Sequence, residues 1–139
     1  MPLNQALKGK EYQPVEFTVE PDQVRQFDDA IGEHNPDFRE RFAPPTFVTK
    51  MQIMTSGQAV LDQELGLNYA LVVHGEQEYD YARPVRIGEV LTATPRIADI
   101  YAKGPNDYLV IEAYIKDAAG ETVVLARTTL LSRGTAGGG

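Results

Sequence analysis

The chain has no cysteine among its 139 residues. A disulfide framework, a thiolate metal site and a cysteine nucleophile are therefore excluded by inventory. Histidine is nearly as scarce, with only His34 and His74 to carry protons near neutral pH. Two scattered imidazoles without thiolates form no recognisable ligand set, so no metal and no other cofactor is expected. No apolar run is long enough to span a bilayer, and Met1 to Tyr12 is polar with two lysines rather than built like a secretion signal. The expected location is the cytoplasm, with no membrane partner. Basic residues are outnumbered 13 to 20 by acidic ones, giving a formal charge of -7 with no lysine or arginine run to offset it. Such a surface repels a polyphosphate backbone, so nucleic acid is not an expected partner. No internal repeat is visible.

What is present suits one ordinary core. With 42% hydrophobic and 24% charged residues, the chain can fill a single domain and is too short for two. We expect that domain over residues 1–133. Gly134 to Gly139 is mostly glycine, reads as a flexible tail and is set aside from function.

Pro14 to Glu20 alternates apolar and polar side chains, as a half-buried strand does, and Pro21 stops it. The period then changes. Val24, Phe27, Ala30 and Ile31 fall three and four apart, which predicts one face of a short helix ending at Gly32. Asn35-Pro36 and Pro44-Pro45 punctuate the next stretch, so Glu33 to Pro45 is expected to be mostly loop. Thr46 can cap a central helix reaching to about Leu65 and carrying Phe47, Met51, Met54 and Val60 inward. Four stretches with strand chemistry come next: Ala70 to Tyr81, Val90 to Tyr101, Tyr108 to Lys116 and Thr122 to Ser132. Lys103 to Asp107 and Asp117 to Gly120 supply turns, so the last three strands read as an antiparallel meander. Long antiparallel strands around one helix give an α+β domain of hot-dog architecture, the sheet wrapping the central helix.

The segment richest in chemistry is Gly32-Glu33-His34-Asn35-Pro36-Asp37-Phe38, a helix end followed by a polar loop. It resembles the Gly-Asp-x-Asn-Pro-x-His motif of the MaoC-like family of (R)-specific enoyl-thioester hydratases and 3-hydroxyacyl-thioester dehydratases. Ala43-Pro44-Pro45-Thr46-Phe47 and the run from His74 to Leu91 are similar to the N-terminal-type MaoC dehydratase domain, so the resemblance covers most of the chain. It implies a water held between an aspartate and a histidine, added to or removed from the double bond beside a thioester carbonyl that backbone N–H groups polarise. The substrate it implies is an acyl-CoA or acyl-carrier-protein thioester.

Both catalytic positions of the motif differ here. Glu33 keeps the carboxylate but reaches about 1.5 Å farther. Phe38 stands where the family has its histidine, and a phenyl ring can neither give nor take a proton. Loss of an acid/base partner costs about 100- to 10,000-fold, so a lone chain using this mechanism is expected to be feeble. The catalytic candidates are Glu33 as base, Asn35 as the residue that aims it, and His34 as a substitute imidazole. Candidates for substrate contact are Phe38, Thr46, Phe47, His74 and Arg83, with Met51 and Met54 beside Phe47 in an acyl tunnel. Arg39, Arg41 and Arg86 join Arg83 as possible partners for coenzyme A phosphates or an acidic carrier. Plainer readings stand beside these: Glu33 as a solvated carboxylate, His74 as a packed histidine, the arginines as a solvated rim, the methionines as core.

Three functions remain open on these residues. The chain is a hydro-lyase or a subunit of one, or a non-catalytic hot-dog subunit that binds acyl thioesters or stabilises a partner, or an acyl-CoA thioesterase using Glu33 alone. A single hot dog exposes one face and one edge of its sheet, so a homodimer or a heterodimer with another hot-dog subunit is expected.

Overall fold

The computed structural model describes residues 2–136. Among these residues the α-helices and strands run in the order β1 (Val15–Thr18), α1 (Pro21–Ile31), α2 (Pro36–Arg39), α3 (Thr49–Val60), β2 (Val72–Tyr81), β3 (Val90–Lys103), β4 (Asn106–Lys116) and β5 (Thr122–Ser132). The strands form one antiparallel sheet in the order β1-β3-β4-β5-β2, so β1 and β2 are its edges. Helix α3 packs against the concave face, and the α+β hot-dog arrangement expected from the sequence is the one observed.

Alternation decides which way each strand faces. Leu91, Ala93 and Ile97 of β3, Leu109, Ile111, Ala113 and Ile115 of β4, and Val124 and Ala126 of β5 are all fully buried. Two clusters result. One gathers Val48 and Met51 from the start of α3 with Leu91, Ala93 and Val124. The other gathers Ala59, near the helix end, with Leu3, Leu7, Ile97 and Ile111. Each Ile or Leu so buried contributes about 1.5–3 kcal/mol. On the opposite face, Glu112 lies directly between Arg96 and Arg127 in the register and accepts a hydrogen bond from each, at 3.1 and 3.0 Å. Tyr101 and Tyr108, also directly paired, stack at 4.9 Å.

Several boundaries differ from the sequence expectation. The first strand is trimmed to Val15–Thr18. The loop after Gly32 contains the four-residue helix α2, started by Asn35, whose Oδ1 accepts from the Asp37 N–H. Helix α3 is shorter than Thr46 to Leu65. Thr46 does not cap it, because Phe47 and Thr49 donate back to Pro44 and Thr46 in tight turns before the helix begins. At the other end, Asp62 stops it by accepting from the Glu64 N–H while also holding Lys10 Nζ and Tyr12 Oη. The turn expected over Lys103 to Asp107 is tighter, with both strands reaching its edges at Lys103 and Asn106.

The buried stripes also shift. In α1 the buried residues are Val24 and Asp28, with Phe27 packed beside them, whereas Ala30 falls off the stripe and Ile31 is exposed at the last helical position. In α3 the buried residues are Met51, Gln52, Thr55, Ser56 and Ala59; Met54, expected inside, is 58% exposed, and Val60 is only half-buried. The cause is hydrogen bonding. Gln52 is bonded to Thr128 and Gln77, and Thr55 Oγ1 returns to the carbonyls of Met51 and Gln52, so both side chains enter the core with partners.

Gly134 to Ala136 dock on the turn between β3 and β4, where Thr135 Oγ1 donates to Asp107 Oδ2 at 2.6 Å and Ala136 N–H donates to the Pro105 carbonyl. The rest of the expected tail, Gly137 to Gly139, lies outside the described residues. Among the described residues no helix is long and apolar enough to cross a membrane.

Asp107 also accepts from the Leu3 N–H at 3.2 Å, so one buried carboxylate ties two distant segments to β4. Replacing it by alanine removes two hydrogen bonds to a charged acceptor. Asp107→Ala should lower unfolding stability by about 3 kcal/mol, read from urea midpoints; a loss under about 0.5 kcal/mol would mean the tie is solvated.

Candidate functional site

Gly32 ends α1 in the left-handed region, at φ 77°, a conformation that glycine adopts without a Cβ clash. The chain reverses there into the polar loop. Glu33 then turns back on its own loop: its Oε1 accepts from the Asn35 N–H at 3.0 Å. Arg39, on α2, draws the loop against α1. Its guanidinium donates to the Glu33 carbonyl at 3.1 Å and to Asp29 Oδ1 at 2.7 Å, and its Nε lies 3.7 Å from Asp28 Oδ2. Phe38 is half-buried with its ring 5.8 Å from that of Phe42.

Asp28 is the residue that sequence reasoning passed over. It is fully buried on α1, and neither carboxylate oxygen has a hydrogen-bond partner among the described residues. Burial pushes its carboxyl above the ordinary aspartate value, opposed by the Arg39 charge and reinforced by Glu33 and Asp29. It borders a cleft of about 460 Å³ with Arg25, His34 and Arg39. His34 thus shares a cleft with a buried carboxylate, whereas Glu33 does not line it. The available signal was positional: Asp28 falls four residues after Val24, on the inward stripe.

A second locus follows the seam between α3 and edge strand β2. Thr49 is hydrogen-bonded to Tyr79, and Tyr81 donates to the Pro45 carbonyl. Burial raises the Tyr81 hydroxyl, with Tyr79 adding to it, so it stays protonated and able to donate. Farther along, Gln52, Thr128 and Gln77 are joined in hydrogen bonds beneath the helix. Beside them a groove of about 560 Å³ opens between the last turns of α3 and the start of β2. Its apolar wall includes Ile53, Leu61 and Tyr69, which are 66%, 80% and 75% exposed. His74 borders it too. This histidine is exposed at the bulge of the edge strand, with Nε2 against the Glu76 carbonyl at 3.0 Å.

The expected site residues therefore divide. Glu33, His34, Asn35 and Phe38 stay together over the α1–α2 loop and the start of α2; His74 lines the separate α3–β2 groove. Thr46 is exposed in the turn before α3. Phe47 is buried with its ring edge-on to Phe27 at 5.6 Å, and it borders a depression of about 270 Å³ with Met51 and Met54. Arg83 is held by Glu89 at 2.8 Å and Asp117 at 3.3 Å. Arg39 is likewise spent inside the fold, while Arg41 and Arg86 remain exposed. Among the described residues no cluster of potential metal ligands occurs.

The model of the FAS1-like dehydratase domain region matches residues 6–126 of this chain. A UPF0336 protein of Streptomyces coelicolor is 40% identical over 96% of this chain and 97% of its own length. The chain belongs to the UPF0336 proteins. Its fold is that of the MaoC-like hot-dog dehydratases, as the resemblance of its motif implied. A solved HadBC complex, a (3R)-hydroxyacyl-ACP dehydratase of Mycobacterium tuberculosis, has a TM-score of 0.79 at 24% identity, covering 90% of this chain and 96% of that one. A MaoC-like dehydratase has a TM-score of 0.83 at 20% identity, with 96% of this chain on 44% of that one, so it is more than twice as long. At these identities the two structures speak for the fold.

The buried acid of the α1–α2 loop gives a test. A carboxyl whose folded pKa is raised binds protons more tightly folded than unfolded, so its contribution falls as pH rises from the ordinary aspartate value through the folded one. Asp28→Asn removes that term and keeps the shape. As pH rises from the ordinary aspartate value toward neutrality, the variant should gain on the parent in urea midpoint; a variant that loses ground instead would mean the Arg39 charge outweighs burial.

Proposed function

We propose that this UPF0336 protein is an acyl-thioester-binding subunit of a hot-dog hydratase or dehydratase, working with a second hot-dog subunit that supplies the missing imidazole. The observation that carries this reading is Phe38. It occupies the histidine place of the motif, and its ring is packed on Phe42, so no proton carrier stands there. The Glu33 carboxylate remains, but one of its oxygens is committed to the Asn35 N–H.

The chemistry would be the reversible addition of water to an enoyl thioester. A base takes a proton from water, the oxygen bonds to the β-carbon, and a proton is delivered to the α-carbon; dehydration runs the same steps backward. In this reading Glu33 supplies at most the carboxylate, Asn35 fixes its loop, and the partner's acid/base pair moves the protons. The substrate is an acyl-CoA or acyl-carrier-protein thioester, met in the cytoplasm. The groove beside α3 gives the acyl chain an apolar wall of a size usual for a small-molecule site.

Pairing is supported by the outer edge of β2 and by Val73, an exposed apolar residue on that strand. HadBC is a complex, which suits the same arrangement here. The thioesterase alternative has less support, because it asks the engaged Glu33 to activate water unaided.

Hydration of crotonyl-CoA, followed by loss of its conjugated absorbance, tests the proposal. The chain alone should show activity at least about 100-fold below that of the same chain mixed with an intact hot-dog subunit. Strong activity of the lone chain, abolished by Glu33→Gln, would instead make it an unaided hydratase. Light scattering should give a dimer or larger assembly for the chain or the mixture; a monomer in both would count against pairing.

A further inference from the structure

The groove between α3 and β2 is not uniformly apolar, and its floor has a specific hydrogen-bond arithmetic. Gln52 donates from Nε2 to Thr128, Thr128 donates to Gln77 Oε1 at 2.8 Å, and Gln77 donates from Nε2 back to Gln52 Oε1. The three side chains close a ring. Each carboxamide carries two N–H groups and the ring consumes one, leaving one donor per amide unspent. Gln77 and Thr128 line the groove. Ser56, on α3, also lines the groove; it is 6% exposed and its Oγ has no hydrogen-bond partner among the described residues. The groove therefore offers surplus donors among the apolar side chains of Ile53, Val60, Leu61, Tyr69 and Leu130.

A plain alkyl chain laid in this groove would cover those donors and leave them unpaired, which is unfavourable for buried polar groups. A chain carrying an oxygen at that depth would accept from them. We propose that the groove selects acyl thioesters whose chain bears an internal oxygen, as ether, hydroxyl or keto group, over hydrocarbon chains of equal length. This rests on the acyl-binding reading given above. Ser56 lies about 10 Å along the axis from Thr49, the first residue of α3. The recognised oxygen is one borne along the chain, distinct from the thioester carbonyl.

Calorimetric titration of the full chain with decanoyl-CoA, and with analogues in which one methylene is replaced by an ether oxygen at successive positions, tests this directly. One position should bind about tenfold more tightly than decanoyl-CoA, and Ser56→Ala should bring that ratio close to one. Alanine is the better helix former, so the variant keeps α3. If all the ligands bind and none is preferred, or if the preference survives both Ser56→Ala and Gln77→Met, the selection by this groove is overturned while acyl binding stands. If none of them binds, both readings fall.

Discussion

The central helix lies over the sheet on a surface that is half apolar and half hydrogen-bonded, and this mixed contact governs the rest of the molecule. Burying two carboxamides and a threonine hydroxyl is costly unless each finds a partner, and the ring of Gln52, Thr128 and Gln77 supplies partners to all three. Because the ring joins α3 to both β2 and β5, it fixes the rotation of the helix about its own axis. That rotation sends Ile53 and Met54 outward and brings Ser56 into the lining of the groove. An all-apolar stripe on α3 would have allowed a different rotation, with no polar floor and less exposed apolar surface beside the edge strand.

A second fixed point governs the motif loop. Arg39 touches Asp29, lies near Asp28 and donates to the Glu33 carbonyl, so one guanidinium holds the helix end, the loop and α2 together. Five donors in a planar fork suit this task in a way that a lysine would not. The loop is therefore a shaped element, although the acid/base pair of its motif is incomplete. Shape retained without the proton carrier is what a subunit needs if it completes a neighbour's site.

Much of this architecture was legible in the sequence, because alternation and punctuation act locally. Thr122 to Ser132 is a strand with the bounds read from its alternation, and α1 ends at the glycine that the spacing predicted. The Asp117 to Gly120 turn forms as expected, its aspartate accepting from the Ala119 and Glu121 N–H groups. What escaped was non-local. Gln52 and Ser56 look solvent-facing in sequence, and the partners that let Gln52 enter the core lie 25 and 76 residues away. Asp28 escaped for a related reason, since polarity was read as exposure. Helix α2 spans four residues, too few for a period to show.

The row Arg96, Glu112, Arg127 on the convex face has a consequence for how the strands find one another. Glu112 sits in register with both arginines, and its neighbours along β4, Ile111 and Ala113, point to the opposite, concave side. A slip of β4 by one residue would turn Glu112 toward the packed core and strip it of both cations, while Ile111 would face outward. An unpaired carboxylate there costs far more than a misplaced methyl group. Mispaired hairpins are thus penalised by charge as well as by packing, which narrows the meander to a single alignment early in assembly and leaves few competing pairings in which a folding chain could be trapped.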